Sequence, residues 1–255
     1  MADPKPSPAP TSLGVSILGD AARNWAKPLI ETLSGSFVSL YLYGSAVEPG
    51  FRPERSDVNL LLVTRAMPAS ALRALAAAWP GDTIAGARVN PVLIAADQMP
   101  RMLDAFALEI SDVRSRGKLL AGVDVLESLS VPPQALRVHV ERELRLAVMR
   151  LRRSFLMDRD EPAAAARALG QAAGALAACG RGIACLDRAP VPMSAEAAIS
   201  FAARWVGVEA RAWLEAWRLR GEKTPPASME TLFLDVLDAT ETLLRRVDSL
   251  SCEAK

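Results

Sequence analysis

Two strand-like runs separated by a short polar segment constrain this chain more than any other feature. Phe37 to Tyr43 (FVSLYLY) is rich in aromatic and β-favouring residues and ends at Gly44-Ser45. Val58 to Thr64 (VNLLLVT) is a nearly unbroken apolar run, the pattern of a strand covered on both faces. Ahead of them a helix fits Val15 to Leu33, where Ile17, Leu18, Ala21, Trp25, Leu29 and Leu33 follow the helical period until Gly35. After them Ala69 to Trp79 reads as a helix ending before Pro80-Gly81, and Arg88 to Ala95 as a third strand that Pro91 assigns to a sheet edge. This order of elements calls for an α/β (α+β) unit on a small mixed sheet. Glu109 to Gly122 reads as an acidic helix running into a strand or turn at Leu119-Leu120 that closes the unit, with no chemical role.

From about Ser130 the texture is almost purely helical. Pro132-Pro133 starts a helix whose stripe is Val140, Leu144, Ala147 or Val148, Leu151 and Phe155. Its opposite face carries Arg137, Glu141, Arg145, Arg152 and Arg153, with Glu141 and Arg145 spaced for an ion pair. The alanine-rich stretch Ala163 to Cys179 contains Gly170 and Gly174, a spacing that lets another helix approach. Further helices fit Ala195 to Trp205, Val208 to Gly221 and Ser228 to Leu250. The expected organisation is a flexible Pro-rich tail (1–12), an α/β domain (13–130) and an all-α bundle (131–255).

Charge and cysteine content narrow the classes. Lys and Arg number 30 against 29 Asp and Glu, so no polyanion-binding footprint points to nucleic acid. The cysteines, Cys179, Cys185 and Cys252, match neither a zinc knuckle nor a CxxC site and read as reduced thiols. The tail lacks the apolar core of a secretory signal. Ala163 to Ala178 is too short to span a bilayer and holds Arg167 and Gln171. A cytoplasmic protein with no membrane partner is expected.

Chemistry concentrates in Leu42 to Val63 (LYGSAVEPGFRPERSDVNLLLV). A Gly-Ser pair after a strand can offer backbone N–H groups and a hydroxyl to a phosphate. Asp57 and Asn59, two apart at the start of a strand, share a face, as a pair of metal ligands must. With Tyr43-Gly44-Ser45 and Ser56-Asp57-Val58-Asn59-Leu60, eleven residues separating Ser45 from Asp57, the chain resembles the nucleotidyltransferase superfamily that includes DNA polymerase β. Within it the likeness is to small bacterial proteins related to aminoglycoside adenylyltransferases. The resemblance implies a nucleotidyltransferase-like domain followed by a helical one, with Gly44 and Ser45 handling the phosphates of ATP or another nucleotide. It also implies Mg²⁺ ions held by two acids at the positions of Asp57 and Asn59, usually with a third on a later strand.

The chain departs from that pattern. Position 59 is an asparagine, whose oxygen can ligate Mg²⁺ but brings no negative charge. The third strand offers Asn90, and Asp97 lies past its end. Arg52 and Arg55 either grip phosphates or are solvated loop charges. By the resemblance Glu141 or Glu143 would reach over the cleft as a general base, although helix-surface ion pairing is the commoner use of such residues. His139 reads as structural, and Trp205, Trp213 and Trp217 as bundle core rather than an aromatic wall. The leading expectation is a nucleotide- or phosphate-binding protein with weak or no nucleotidyl transfer. Its alternatives are an active adenylyltransferase moving AMP to a small-molecule or protein hydroxyl, and a non-catalytic protein whose helical domain binds a protein partner.

Overall fold

In a computed structural model the described residues are 14–49, 51–54, 56–158, 160–220, 226 and 228–250; the Pro-rich tail, Arg55 and Cys252 lie outside them. The α/β part runs α1 (Val15–Thr32), β1 (Phe37–Tyr43), a 3₁₀ turn (Gly44–Val47), β2 (Val58–Thr64), α2 (Ala69–Ala77), β3 (Thr83–Ile84), β4 (Ala87–Ala95), α3 (Met99–Met102), α4 (Ala107–Arg116) and β5 (Lys118–Gly122). The rest is helical: α5 (Pro133–Asp158), α6 (Pro162–Leu186), α7 (Ala195–Val206), α8 (Arg211–Arg218) and α9 (Glu230–Asp248). The fold is a five-stranded mixed sheet followed by helices.

Strand order is β3-β4-β2-β1-β5. β2 and β4 are parallel, whereas β1 is antiparallel to both β2 and β5. The apolar run of β2 is explained by burial on both faces. Leu60 and Leu62 join Leu18, Ala22, Leu29 and Leu40 under α1, while Leu61 and Val63 join Tyr41, Ile94 and Met99 on the opposite side. Pro91 is tolerated because two-residue β3 covers β4 only opposite Ala87 and Arg88.

The helical stripe of α5 packs as its spacing requires: Val140, Leu144 and Leu151 are fully buried and Phe155 meets Phe233 at 5.6 Å between ring centroids. α6 runs seven residues past Cys179. By length and composition it could cross a bilayer, unlike the shorter stretch read from sequence, but 67% of its most apolar window is buried inside the protein. The close helix approach on α6 is at Gly180, where a Cβ would come within 2.3 Å of the Ala198 carbonyl oxygen of α7. Gly170 admits the end of α8, where the Arg220 backbone would stand 3.5 Å from a Cβ, whereas a Cβ at Gly174 would make only ordinary contact. Ala107 and Leu108 of α4 belong to the helical core rather than to the sheet's two clusters, so α4 bridges the two parts.

Candidate functional site

The register of the sheet assembles one corner. Tyr43 pairs with Asn59 across β1 and β2, and Asn59 pairs with Asn90 across β2 and β4. Asn90 Nδ2 donates to Asn59 Oδ1 at 2.9 Å. Gly44 opens the 3₁₀ turn at φ +69°, the left-handed region that favours glycine, and a Cβ there would sit 2.6 Å from Asn59 Nδ2. Sterics therefore demand glycine twice over at this position. Ser45, Asp57 and Asn59 line one cleft of about 660 Å³ together with Ser56, Arg88 and Arg220. Asp57 is exposed, and Asn59 is half-buried beside it.

A larger cavity of about 870 Å³ adjoins the first and shares Ser45, Ser56 and Arg220 with it. Its sheet side includes Glu48, Phe51 and Arg52; its helical side includes Arg167 and Gly170 of α6, Trp217 and Arg218 of α8, and Leu219. Arg220 lies along α6. A Cβ at Gly170 would come within 2.7 Å of its Cγ, and one at Gly174 within 3.5 Å of Nη1. Its guanidinium carbon stands 4.5 Å from the centroid of the Trp217 ring, a cation–π distance. Burial by the cleft walls lowers the Arg220 pKa, and the charge of Glu48 opposes that shift, although solvent reaches the residue through the open cleft. Arginine stays protonated regardless. Trp217 is held by its indole N–H, which donates to Glu196 at 2.9 Å.

Behind the cleft lies a buried ion cluster. Glu48, at the end of the 3₁₀ turn, accepts from Arg181 Nη2 of α6 at 2.5 Å and from the Ala195 amide at the start of α7 at 3.1 Å. Arg116 of α4 holds Asp112 with both ends of its fork, at 2.8 and 2.7 Å, and stands 3.5 Å from Glu48. The side chains of Arg116 and Arg181 are 1% and 9% exposed. Burial lowers the Arg181 pKa, against the opposing charge of Glu48. The cluster ties the segment carrying Ser45 to the helices that form the opposite wall.

Among the described residues, no group of three or more His, Cys, Asp or Glu side chains is placed to hold a metal ion. The sheet corner itself offers one carboxylate, Asp57, and the amides of Asn59 and Asn90. Mg²⁺ draws on carboxylate and phosphate oxygens in near-octahedral geometry, so this is a poor donor set for a pair of divalent ions.

The sequence-predicted residues thus separate. Gly44, Ser45, Asp57 and Asn59 meet at the corner, and Arg52 lines the adjoining cavity. Arg55 lies outside the described residues. Glu141 does not join the cleft: Arg137 and Arg145 hold it at 2.8 and 2.7 Å on α5. Hydrogen bonds from Arg145 foremost keep its carboxyl below the ordinary range. His139 sits 4.0 Å from Glu109. Trp213 is core, as its spacing suggested, whereas Trp217 faces the cavity. Sequence reasoning missed Arg88, Arg167, Arg218 and Arg220, and also Glu48 and Asp112. The only local signal was the close pair Arg218 and Arg220 after Trp217.

No family model matches the chain, and no curated protein matches it. Solved structures do. The crystal structure of spectinomycin adenyltransferase AAD(9) from Enterococcus faecialis, with ATP and spectinomycin, matches at TM-score 0.56 and 13% identity over 88% of this chain and 98% of that one. A nucleotidyltransferase-like protein from Exiguobacterium sibiricum matches at TM-score 0.35 and 14% identity over 88% of this chain and 75% of that one.

Proposed function

We propose that the chain binds a nucleotide or another phosphate ester in the Gly44-Ser45/Asp57 cleft and transfers nucleotidyl groups weakly or not at all. The observation that carries this reading is the set of five arginines, Arg52, Arg88, Arg167, Arg218 and Arg220, lining two adjoining cavities that share Ser45. Arginine forks match phosphate oxygens in geometry and charge. The structurally similar adenyltransferase was crystallised with ATP, which makes ATP the first ligand to test.

Weak transfer follows from charge at the corner. Nucleotidyl transfer forms an alkoxide-like nucleophile and expels pyrophosphate, and divalent ions held by acids stabilise both. Asp57 supplies one negative charge there and Asn59 none. An active adenylyltransferase acting on a hydroxyl acceptor would need a second acid, and Glu54, which lines the same cleft as Asp57, is the residue to suspect.

Calorimetric titration with ATP, run beside a pyrophosphate-release assay with hydroxyl acceptors, tests the reading. The expected outcome is ATP binding with pyrophosphate release at background. Sustained release would establish the active transferase. Absence of ATP binding under every condition would remove the nucleotide site and leave the helical part, as a protein-binding surface, to carry the function.

A further inference from the structure

We infer that the arginines of the helical wall, Arg220 foremost, take the place of divalent ions, so that the cleft receives a polyphosphate anion without bound metal. This rests on the phosphate-binding reading above and specifies the form of its ligand. Four observations converge on it.

Beside Asp57, whose carboxylate accepts, the corner presents the donors of the Asn59 amide and the Ser45 hydroxyl. Asn59 Oδ1 is already engaged by Asn90, and Asn59 Nδ2 lies against Gly44. A cation needs lone pairs at this position, whereas a phosphate oxygen needs the amide N–H and the Ser45 hydroxyl.

Arg220 lines both cavities, the one at Asp57 and Asn59 and the one at Trp217. Its positive charge repels a divalent ion placed between them and attracts a phosphate chain.

The Arg220 side chain is positioned. Gly170 leaves room for its methylene stem, and the Trp217 ring stacks its guanidinium. Gly170 thus serves both the approach of the end of α8 and the seating of Arg220.

Finally, among the described residues none of the five cleft arginines has a carboxylate within ion-pair distance. Arg116 and Arg181, by contrast, are paired behind the cleft. Glu48, Glu54, Asp57 and Glu196 also line the two cavities, but among the described residues none of them is paired with a cleft arginine, so the guanidinium forks are left to meet an anion from outside.

The test is calorimetry on the full chain with two probes, ATP and inorganic tripolyphosphate, each in EDTA and in excess Mg²⁺. Wild type should bind ATP at least as tightly in EDTA as in Mg²⁺, because chelation removes charge from the ligand that the arginines would otherwise meet. Arg220→Gln should weaken binding in EDTA by roughly 10- to 100-fold, the range for a lost hydrogen bond to a charged group. Arg220→Lys should restore part of the loss. Arg167→Gln, on a different helix, should shift binding in the same direction, and unliganded melting of each variant reports on folding. Tripolyphosphate binding like ATP would identify the phosphates alone as the ligand, and ATP binding alone would identify a nucleotide; both outcomes support a metal-free site. ATP binding only with Mg²⁺ would overturn this inference while leaving the phosphate-binding reading intact. Binding to neither probe under any condition would overturn both, and unchanged EDTA binding by Arg220→Gln and Arg167→Gln would remove the arginines from the site.

Discussion

Two groups of arginines stand on either side of the same turn and have been treated in opposite ways. Behind it, Arg116 and Arg181 are sealed from solvent and matched by Asp112 and Glu48. In front of it, Arg52, Arg88, Arg167, Arg218 and Arg220 face a cleft and have no carboxylate at ion-pair distance among the described residues. The first arrangement is structural, because charges this deeply buried are tolerated only when paired and hydrogen-bonded. The second leaves charge available for something outside the chain. The acids differ in the same way: Glu48 is committed to the protein, and Asp57 is exposed to the cleft.

The largest expected effect comes from breaking the paired side of this comparison. Arg116→Ala should destabilise the protein by about 3 to 5 kcal/mol in urea unfolding, since it strands Asp112 and weakens the hold on Glu48. A loss below about 1 kcal/mol would show that the cluster is not a lock between the parts. Gly44→Ala acts on the turn between the two groups. It forces a Cβ into left-handed backbone against Asn59, and about 1 to 3 kcal/mol should be lost. Binding of ATP should fall with it. On the cleft side, Arg220→Gln should change the unfolding free energy by at most about 1 kcal/mol, because it breaks no ion pair and gives up only the stacking on Trp217.

The smallest effect is expected at a half-buried ion triad on α5 that belongs to neither group. Glu141→Gln removes the partner of Arg137 and Arg145 and should cost at most about 1 kcal/mol. The folded-state pKa of Glu141 is depressed, so its contribution is present above the ordinary carboxylate range and lost as pH falls through the lowered value. The variant's deficit at pH 7 should therefore shrink in urea melts carried into strong acid. Its affinity for ATP should equal that of wild type, in keeping with a residue that lines neither cavity.

What was legible in the sequence was what local pattern controls. β1 and β2 fall on Phe37–Tyr43 and Val58–Thr64 as read, because composition and the Gly-Ser stop define both ends. β3 and α3 were not legible, since two- and four-residue elements carry no period. The corner of Gly44, Ser45, Asp57 and Asn59 was readable because the four sit at the ends of two adjacent strands. The opposite wall was not. Arg181 reaches Glu48 across 133 residues of sequence, and the placement of Arg220 over Gly170 depends on how α8 packs on α6. The glycine spacing showed that a helix comes close, and at Gly170 the end of α8 does so, but it could not show that the residue brought there is Arg220.

The most direct test of a metal-free phosphate site is thermal melting of wild type and Asn59→Asp with ATP, in EDTA and in excess Mg²⁺. A ligand at free concentration L that binds only the native state stabilises it by RT ln(1 + L/Kd), so at a fixed ligand concentration the melting point rises more for tighter binding. The expected result is that ATP stabilises wild type at least as strongly in EDTA as in Mg²⁺. Asn59→Asp, which sets a second carboxylate beside Asp57, should lose that stabilisation in EDTA and regain it with Mg²⁺. A wild type stabilised by ATP only when Mg²⁺ is present would contradict it.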